Sequence, residues 1–429
     1  MKITQILAFI TLGSLPLYVV RCKDFSWCGS AIPFTLLEVF IILTFFSWII
    51  WRVSRVKRGQ IDALGLFERL RGPFFWPTVL FLILSIIAVF ISPDLRSAAG
   101  VWKAYFLEPI LLFIVVLDLS RAKKTINWAI FPLIISGLWL SALAIWQALT
   151  KIDPFAPNSI ALDRVTGVYD NPNALGLYLG PLILIGLGTA IEFFKSDETT
   201  AKKKTVILFL LISISIFTLA IYLSKSRGAG LAIIASLVFF AVLTIYPWLP
   251  QLLKKLGRGV FYVLLLVTAA TLMFGFINID KFMTKPLRTY RDSSYSRLCI
   301  WQASRKMLKE NFVVGVGISG FPVVYPKYAT CEPHSFQYPH NIFLNFWVEI
   351  GIVGLILYLW ITFLYWDTLM RYKNDFLAIG LLGASVYTFI HGLVDVPYFK
   401  NDLSSQFWVL VAIAAWFAVA KTKRQTTNF

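Results

Sequence analysis

The chain alternates long apolar runs with short polar stretches, and this pattern predicts membrane-spanning helices. A spanning helix needs roughly 20 predominantly apolar residues, and cutting the sequence where charge, proline or glycine interrupts such runs yields about twelve segments. Their predicted limits are 3–20, 31–51, 74–92, 100–117, 126–149, 171–193, 205–223, 229–246, 258–277, 341–365, 376–394 and 404–420. The pattern therefore predicts an all-α polytopic membrane protein, with residues 1–429 forming a single integral membrane domain.

The basic residues predict how the chain is oriented in the membrane. Lys and Arg in short loops are retained on the cytoplasmic side during insertion. They gather after the even-numbered spans, at Arg52, Arg55, Lys57 and Arg58, at Arg121, Lys123 and Lys124, at Lys195 and Lys202, at Lys254 and Lys255, at Arg371 and Lys373, and at Lys421 and Lys423. Both termini are therefore predicted to be cytoplasmic.

Composition narrows the classes of protein. With 58% hydrophobic and 14% charged side chains, a chain of 429 residues has too little polar surface for a soluble globule. The net charge of +18 is spread between apolar runs, so it indicates topology and not a nucleic-acid surface. The four cysteines, Cys22, Cys28, Cys299 and Cys331, match no zinc spacing, and their pairing stays open.

The predicted topology places two hydrophilic segments on the outer face. The larger, residues 278–340, joins spans 9 and 10, and the smaller covers residues 150–170. A loop longer than about 15 residues without its own fold is uncommon and usually functional. Within the larger loop, Tyr295 to Lys309 is predicted to form an amphipathic helix. We therefore expect residues 278–340 to form an extracytoplasmic catalytic loop.

Three outer arginines are not explained by the topology rule, namely Arg164, Arg227 and Arg297. A guanidinium group binds two phosphate oxygens at once and keeps its charge, so each could hold a phosphate. The alternative for each is an arginine that reaches lipid headgroups from the interface. Arg227 fits that alternative least, because it lies in a short turn with Gly228 just before a predicted helix N-terminus.

His340 is a candidate general base at the start of the tenth span. An imidazole there could take a proton from a sugar hydroxyl near neutral pH, or it could simply pack at the helix start, and both readings stay open. A structural role is expected for Glu108, Glu349 and His391, whereas Asp395 stays unassigned. No Asp-x-Asp pair or His/carboxylate cluster predicts a metal site, which disfavours a metal-dependent sugar-nucleotide transferase.

An ordered set of motifs covers about residues 160–355 of the sequence. The two earlier motifs are the segment from Arg164 to Asn173 and Ser226-Arg227-Gly228. The later ones are Arg297 and Trp301, Asn311, Gly315-Val316-Gly317, Gly320-Phe321, Pro339-His340-Asn341, Glu349, Gly351 and Gly354. Together these motifs resemble the signature of the O-antigen ligase and polymerase superfamily.

The resemblance implies a fold similar to type C glycosyltransferases, and an extracytoplasmic active site in the bacterial inner membrane. The donor would be a glycan on undecaprenyl diphosphate, with no metal or other cofactor. By the same resemblance, Arg227 and Arg297 hold the donor diphosphate, and His340 deprotonates or positions the acceptor hydroxyl. Arg164 and Asn341 are expected to bind substrate in the same site.

Several functions stay open within and beyond the superfamily. A short chain without an appended soluble C-terminal domain favours a ligase acting on lipid A core. A polymerase of O-antigen or exopolysaccharide and a protein O-oligosaccharyltransferase share these motifs. A transporter or lipid flippase is the alternative from another class, although we find no clear internal repeat of the kind transporters often show. The glycan, the acceptor and the oligomeric state are not determined by the sequence.

Overall fold

The computed structural model describes residues 2–21, 34–62, 65–120, 123–155, 164–196, 201–245, 293–329, 331 and 336–426. Within these ranges the secondary structure is helical, with connecting turns and no β-strand. A short 3₁₀ helix, Leu15–Val19, follows the first helix. The helices are α1 Lys2–Gly13, α2 Leu36–Lys57, α3 Gly65–Leu70, α4 Phe75–Ile91, α5 Leu95–Leu119, α6 Lys123–Thr150, α7 Pro172–Lys195, α8 Ala201–Leu223, α9 Arg227–Ile245, α10 Ser293–Glu310, α11 Phe321–Tyr328, α12 Ile342–Met370, α13 Phe376–Gly392 and α14 Asn401–Thr426.

Eight of the described helices are long and apolar enough to cross a membrane. They are α2, α5, α6, α7, α8, α9, α12 and α14, and α1, α4 and α13 are shorter apolar helices. The predicted span over 258–277 lies outside the described residues. The prediction of an all-α polytopic membrane protein is therefore confirmed at this level, and the count of twelve spans stays a prediction.

Helix α7 forms the centre of the bundle. It is buried along most of its length and packs against α8, α9 and α13. Glycines let α7 and α13 approach closely, because a Cβ added at Gly188 would lie 2.3 Å from the Phe376 carbonyl oxygen. By contrast, α8 and α9 carry exposed apolar side chains such as Leu208 and Leu231, as a helix facing lipid does.

The segment between α10 and α11 packs across a break in α12. Ile350 and Gly351 leave the helical conformation, and Gly351 has φ +74°. The Ile352 N–H donates to the Val313 carbonyl at 3.1 Å, and the Val316 N–H donates to the Val348 carbonyl at 2.7 Å. A Cβ added at residue 351 would lie 2.1 Å from the Val313 carbonyl oxygen and collide with it, so the contact requires glycine.

Further contacts hold the α10–α11 region to the bundle. Glu349 accepts a hydrogen bond from the Ser319 N–H at 2.6 Å, a structural contact of the kind expected for this carboxylate. Cys299 in α10 and Cys331 after α11 form a disulfide. The predicted amphipathic helix from Tyr295 to Lys309 corresponds to α10. Cys22 and Cys28 lie outside the described residues, as do residues 278–292 of the predicted catalytic loop.

Candidate active site

His340 faces a buried carboxylate at the start of α12. Its Nδ1 lies 3.4 Å from Oδ1 of Asp395, which follows α13, and the two side chains are 19% and 7% exposed. The Val396 N–H also donates to Oδ1 at 2.9 Å. With Nδ1 directed at the carboxylate, Nε2 is the ring nitrogen left to accept a proton. The Asp395 carboxylate thus orients the His340 imidazole.

Neighbouring contacts hold His340 in an uncommon backbone conformation. Its φ is +49°, in the left-handed region that residues other than glycine rarely occupy. Trp301 of α10 donates through Nε1 to the Pro339 carbonyl at 2.9 Å. Asn341 caps α12 by accepting from the Phe343 N–H at 3.0 Å, and it donates to the Leu393 carbonyl at 3.0 Å. The residues on both sides of His340 are therefore fixed, and a strained residue so supported is typical of a functional site.

The charge of Asp395 is favoured by its surroundings. Burial alone would raise the pKa of this carboxyl, but the hydrogen bond and charge of His340, with the nearby His391, outweigh burial and lower the pKa to about 2. Its second oxygen, Oδ2, is buried and has no hydrogen-bond partner among the described residues. Asp395 therefore stays ionised at neutral pH, and its carboxylate orients the His340 ring.

His391 connects this pair to the Arg227 turn. Its side chain is buried, and its Nδ1 lies 3.2 Å from the Tyr387 hydroxyl. A Cβ added at Gly228 would lie 3.0 Å from Cδ2 of His391, so the first turn of α9 packs directly on this ring. Arg227, the first residue of α9, is exposed beside that contact. The structure thus brings the Arg227 turn to the same end of the bundle as Asp395.

Arg297 lies on α10 close to the same group. Trp301, four residues later on the same helix face, is the residue that contacts Pro339. The charge of Arg297 also acts on His391. Its Nε is buried and makes no hydrogen bond within the described part of the chain. Its guanidinium group therefore retains an unused donor near the His340 pair.

Arg164 is held by protein contacts in this structure. Its Nε donates to the Ser224 carbonyl at 2.8 Å, and one terminal nitrogen donates to Oδ1 of Asn173 at 3.2 Å. These bonds tie the segment before α7 to the turn that carries Arg227. The expected roles of Arg164 and Asn341 in substrate binding stay predictions, because both side chains have structural partners here.

An apolar cavity of about 90 Å³ lies among α12, α13 and α14. Its lining begins at Phe343 and Pro397, within three residues of His340 and Asp395 in sequence, and extends to Tyr365 and Val411. A cavity with this lining suits an aliphatic chain. The cavity therefore provides an apolar compartment near His340 and Asp395.

From the sequence, Asp395 has no assigned role and His391 is expected to be structural. The available signal was their four-residue spacing at the end of a predicted span, on the side predicted to face outward. Within the described ranges, no group of three His, Cys, Asp or Glu side chains could hold a metal ion. The expectation that the reaction needs no metal stays a prediction.

Comparison with known proteins identifies similar sequences. Residues 208–359 match the family described as O-antigen ligase. This range includes Arg227, Arg297, His340 and Asn341. The O-antigen ligase of Salmonella typhimurium (strain LT2) is 26% identical over 320 residues, which cover 72% of this chain and 72% of that protein. The predicted resemblance to the O-antigen ligase and polymerase superfamily is confirmed.

Proposed function

We propose, on the premise that this membrane protein resembles the O-antigen ligases, that it transfers a glycan from undecaprenyl diphosphate to an acceptor hydroxyl. Lipid A core is the favoured acceptor. The match over residues 208–359 supports ligase-like glycosyl transfer, as does the similarity to the Salmonella O-antigen ligase over most of both chains. Donor and acceptor are part of the proposal.

The observation that carries the proposal is the His340–Asp395 pair. Asp395 holds Nδ1, so Nε2 of His340 takes the proton as the acceptor O–H bond breaks. The acceptor oxygen forms a bond to the anomeric carbon of the donor sugar. The bond from that carbon to the diphosphate oxygen breaks, and undecaprenyl diphosphate leaves with the electron pair.

Arg227 and Arg297 stabilise the charge of the leaving diphosphate. Arg227 is exposed at the N-terminus of α9, where helix N–H groups favour an anion. Arg297 retains its unused Nε donor on the helix that contacts Pro339. Two guanidinium groups at the same end of the bundle as a positioned base would supply the two requirements of this reaction, namely leaving-group stabilisation and a nucleophile in place.

The surroundings support an outward-facing site for a lipid-linked donor. The disulfide between Cys299 and Cys331 is typical of a compartment outside the cytoplasm. The cavity between α12 and α14 would take part of the polyprenyl chain. We accordingly retain the proposed layout, with about twelve spans, cytoplasmic termini and an extracytoplasmic loop in the inner membrane.

The test is transfer by purified protein in nanodiscs, with an undecaprenyl-diphosphate glycan as donor and lipid A core as acceptor, in chelator. We expect His340→Ala to lower the rate about 100-fold or more, because the proton acceptor is lost. We expect Arg227→Ala to lower it by a similar factor. Lys225→Asn is the matched control, since it removes an exposed cation from the same turn and Asn tolerates the φ of +50° there.

The outcomes separate the candidate functions. Transfer to lipid A core that is lost in His340→Ala supports the ligase, and growth of the donor glycan without lipid A core indicates a polymerase. Transfer to a protein indicates an oligosaccharyltransferase. If wild type transfers to none of these acceptors, the transporter class becomes the better explanation.

A further inference from the structure

A second group of polar side chains lies beside His340. Lys400, which directly precedes α14, forms an ion pair with Asp170, its Nζ lying 3.3 Å from Oδ1. The hydroxyl of Tyr338 also hydrogen-bonds Lys400. Tyr105 and Asp402 interact electrostatically with the same ammonium group. The fold thus gathers these five residues from separate parts of the chain.

Asp170 is brought to Lys400 by its neighbour in sequence. The Tyr169 hydroxyl donates to Oδ2 of Asp402 at 2.5 Å, and both side chains are buried. This contact fixes the end of the outer segment before α7 against the start of α14. Asp170 is therefore presented at a defined position while its own carboxylate stays open to solvent.

The burial of the two charged partners is unequal. The Lys400 side chain is 14% exposed, whereas that of Asp170 is 75% exposed. An ion pair with a solvated partner stabilises a fold little, while burial of an ammonium group is costly. Burial would lower the pKa of Lys400, but Tyr338 and Asp170 outweigh it and raise that pKa. Lys400 is thus a fixed cationic donor beside an accessible carboxylate acceptor.

Partly exposed aromatic rings surround the ion pair. Tyr18, Tyr105 and Tyr338 come from three separate segments, and each is partly exposed. Tyr18 interacts electrostatically with Tyr105, Tyr338 and Asp170, so the three rings converge on the pair. A sugar ring offers hydroxyls at its rim and apolar C–H faces, which these donors, acceptors and aromatic rings complement.

The local charge favours a neutral sugar over a phosphate. Two carboxyl groups, Asp170 and Asp402, already offset the positive charge of the Lys400 ammonium. A bound phosphate would therefore add negative charge that no nearby cation balances within this group. The group also adjoins the proposed base, because the rings of Tyr338 and His340 have centroids 5.8 Å apart. A sugar bound here would have a hydroxyl near His340.

We propose that Lys400, Asp170 and the rings of Tyr18, Tyr105 and Tyr338 form a subsite that binds a neutral sugar of the acceptor and directs its hydroxyl to His340. The inference rests on the proposed function in one respect, since it takes the bound sugar to be the acceptor. It assigns Lys400 and Asp170 to acceptor binding, and Arg227 and Arg297 to the donor.

The experiment measures transfer kinetics with donor and acceptor varied separately, using lipopolysaccharide that carries core but no O-antigen. We expect Lys400→Met and Asp170→Asn each to raise the KM for this acceptor about tenfold or more, with the donor KM unchanged, since each removes a charge-assisted hydrogen bond. Lys400→Arg keeps the charge and should restore part of the loss. Asp170→Asn alters an exposed side chain, so it tests the proposal even if Lys400→Met fails to fold.

Arg371→Met is the matched control. It breaks an exposed ion pair with Asp367 at the end of α12 remote from His340, where the side chains are 57% and 42% exposed. We expect this variant to keep the wild-type KM for both substrates. A rise in donor KM in the Lys400 and Asp170 variants, or an unchanged acceptor KM in both, would overturn the subsite.

Direct binding separates this inference from the proposed function. Binding of the same lipopolysaccharide to His340→Ala protein in nanodiscs is measured by surface plasmon resonance, with and without the Lys400 or Asp170 change. Weaker binding in both combined variants supports the subsite even if wild type transfers nothing, whereas unchanged binding overturns it even if transfer occurs. Inorganic phosphate is tested as a competitor of lipopolysaccharide binding. If it competes, and the competition is lost in Lys400→Met, the group is an anion site and the sugar subsite is overturned.

Discussion

At the scale of single residues, the candidate site depends on the buried negative charge of Asp395. The Asp395 side chain is only 7% exposed, yet its pKa lies at about 2 because His340 faces it. Its usual value is 3.8, so folding favours the ionised form. The resulting stabilisation is complete above that usual value and is lost as the pH falls toward the folded value.

Asp395→Asn should therefore slow transfer and destabilise the protein. We expect kcat to fall about tenfold or more with the donor KM unchanged, because the amide no longer supports a protonated imidazole. The loss of stability should be on the order of 2 kcal/mol. It is measured as the difference in thermal unfolding from wild type across a pH series in detergent.

The pH dependence tests the assigned cause. The difference in stability between wild type and Asp395→Asn should be full at about pH 5 and should narrow only below about pH 4. A difference that narrows between pH 7 and pH 5 would contradict the low pKa of Asp395. The exposed Asp367→Asn change serves as the control and should leave the unfolding profile close to wild type.

At the scale of helices, the break in α12 lets the α10–α11 segment pack on the bundle. The segment covers the break through backbone contacts at Val313 and Val316. Glu349 reinforces the same contact through the Ser319 N–H. Since His340 lies at the start of this helix, the break fixes how the α10–α11 segment meets the candidate site.

Gly351→Ala should lower stability by about 2 kcal/mol or more, because a Cβ there has no space and φ is +74°. Gly100→Ala is the control, since Gly100 is exposed in α5 with no atom within 4 Å of the added Cβ. That change should stabilise the helix slightly. Thermal unfolding of both variants in detergent measures the contrast, and equal effects would show that the contact at Gly351 is unimportant.

At the scale of the whole molecule, the proposed orientation puts the Arg227 turn outside and the basic start of α8 inside. Lys225 and Lys202 are both exposed, one at each end of α8. We expect Lys225→Cys, but not Lys202→Cys, to react with a membrane-impermeant maleimide in intact spheroplasts, above the signal of the parent protein.

Permeabilised spheroplasts provide the control, because both positions should then react. If only Lys202→Cys reacts in intact spheroplasts, the orientation is reversed. The candidate active site would then face the cytoplasm, contrary to the proposed function.

The apolar runs were sufficient to predict the helical membrane architecture, because the length of a spanning helix is a local property of the chain. The orientation that the basic flanks indicate stays a prediction. Arg227, Arg297 and His340 could likewise be singled out by their motifs. Their spatial relations could not, since contacts between helices depend on packing of residues far apart in sequence. Only the tertiary structure pairs His340 with Asp395, packs Gly228 on His391 and brings Asp170 to Lys400.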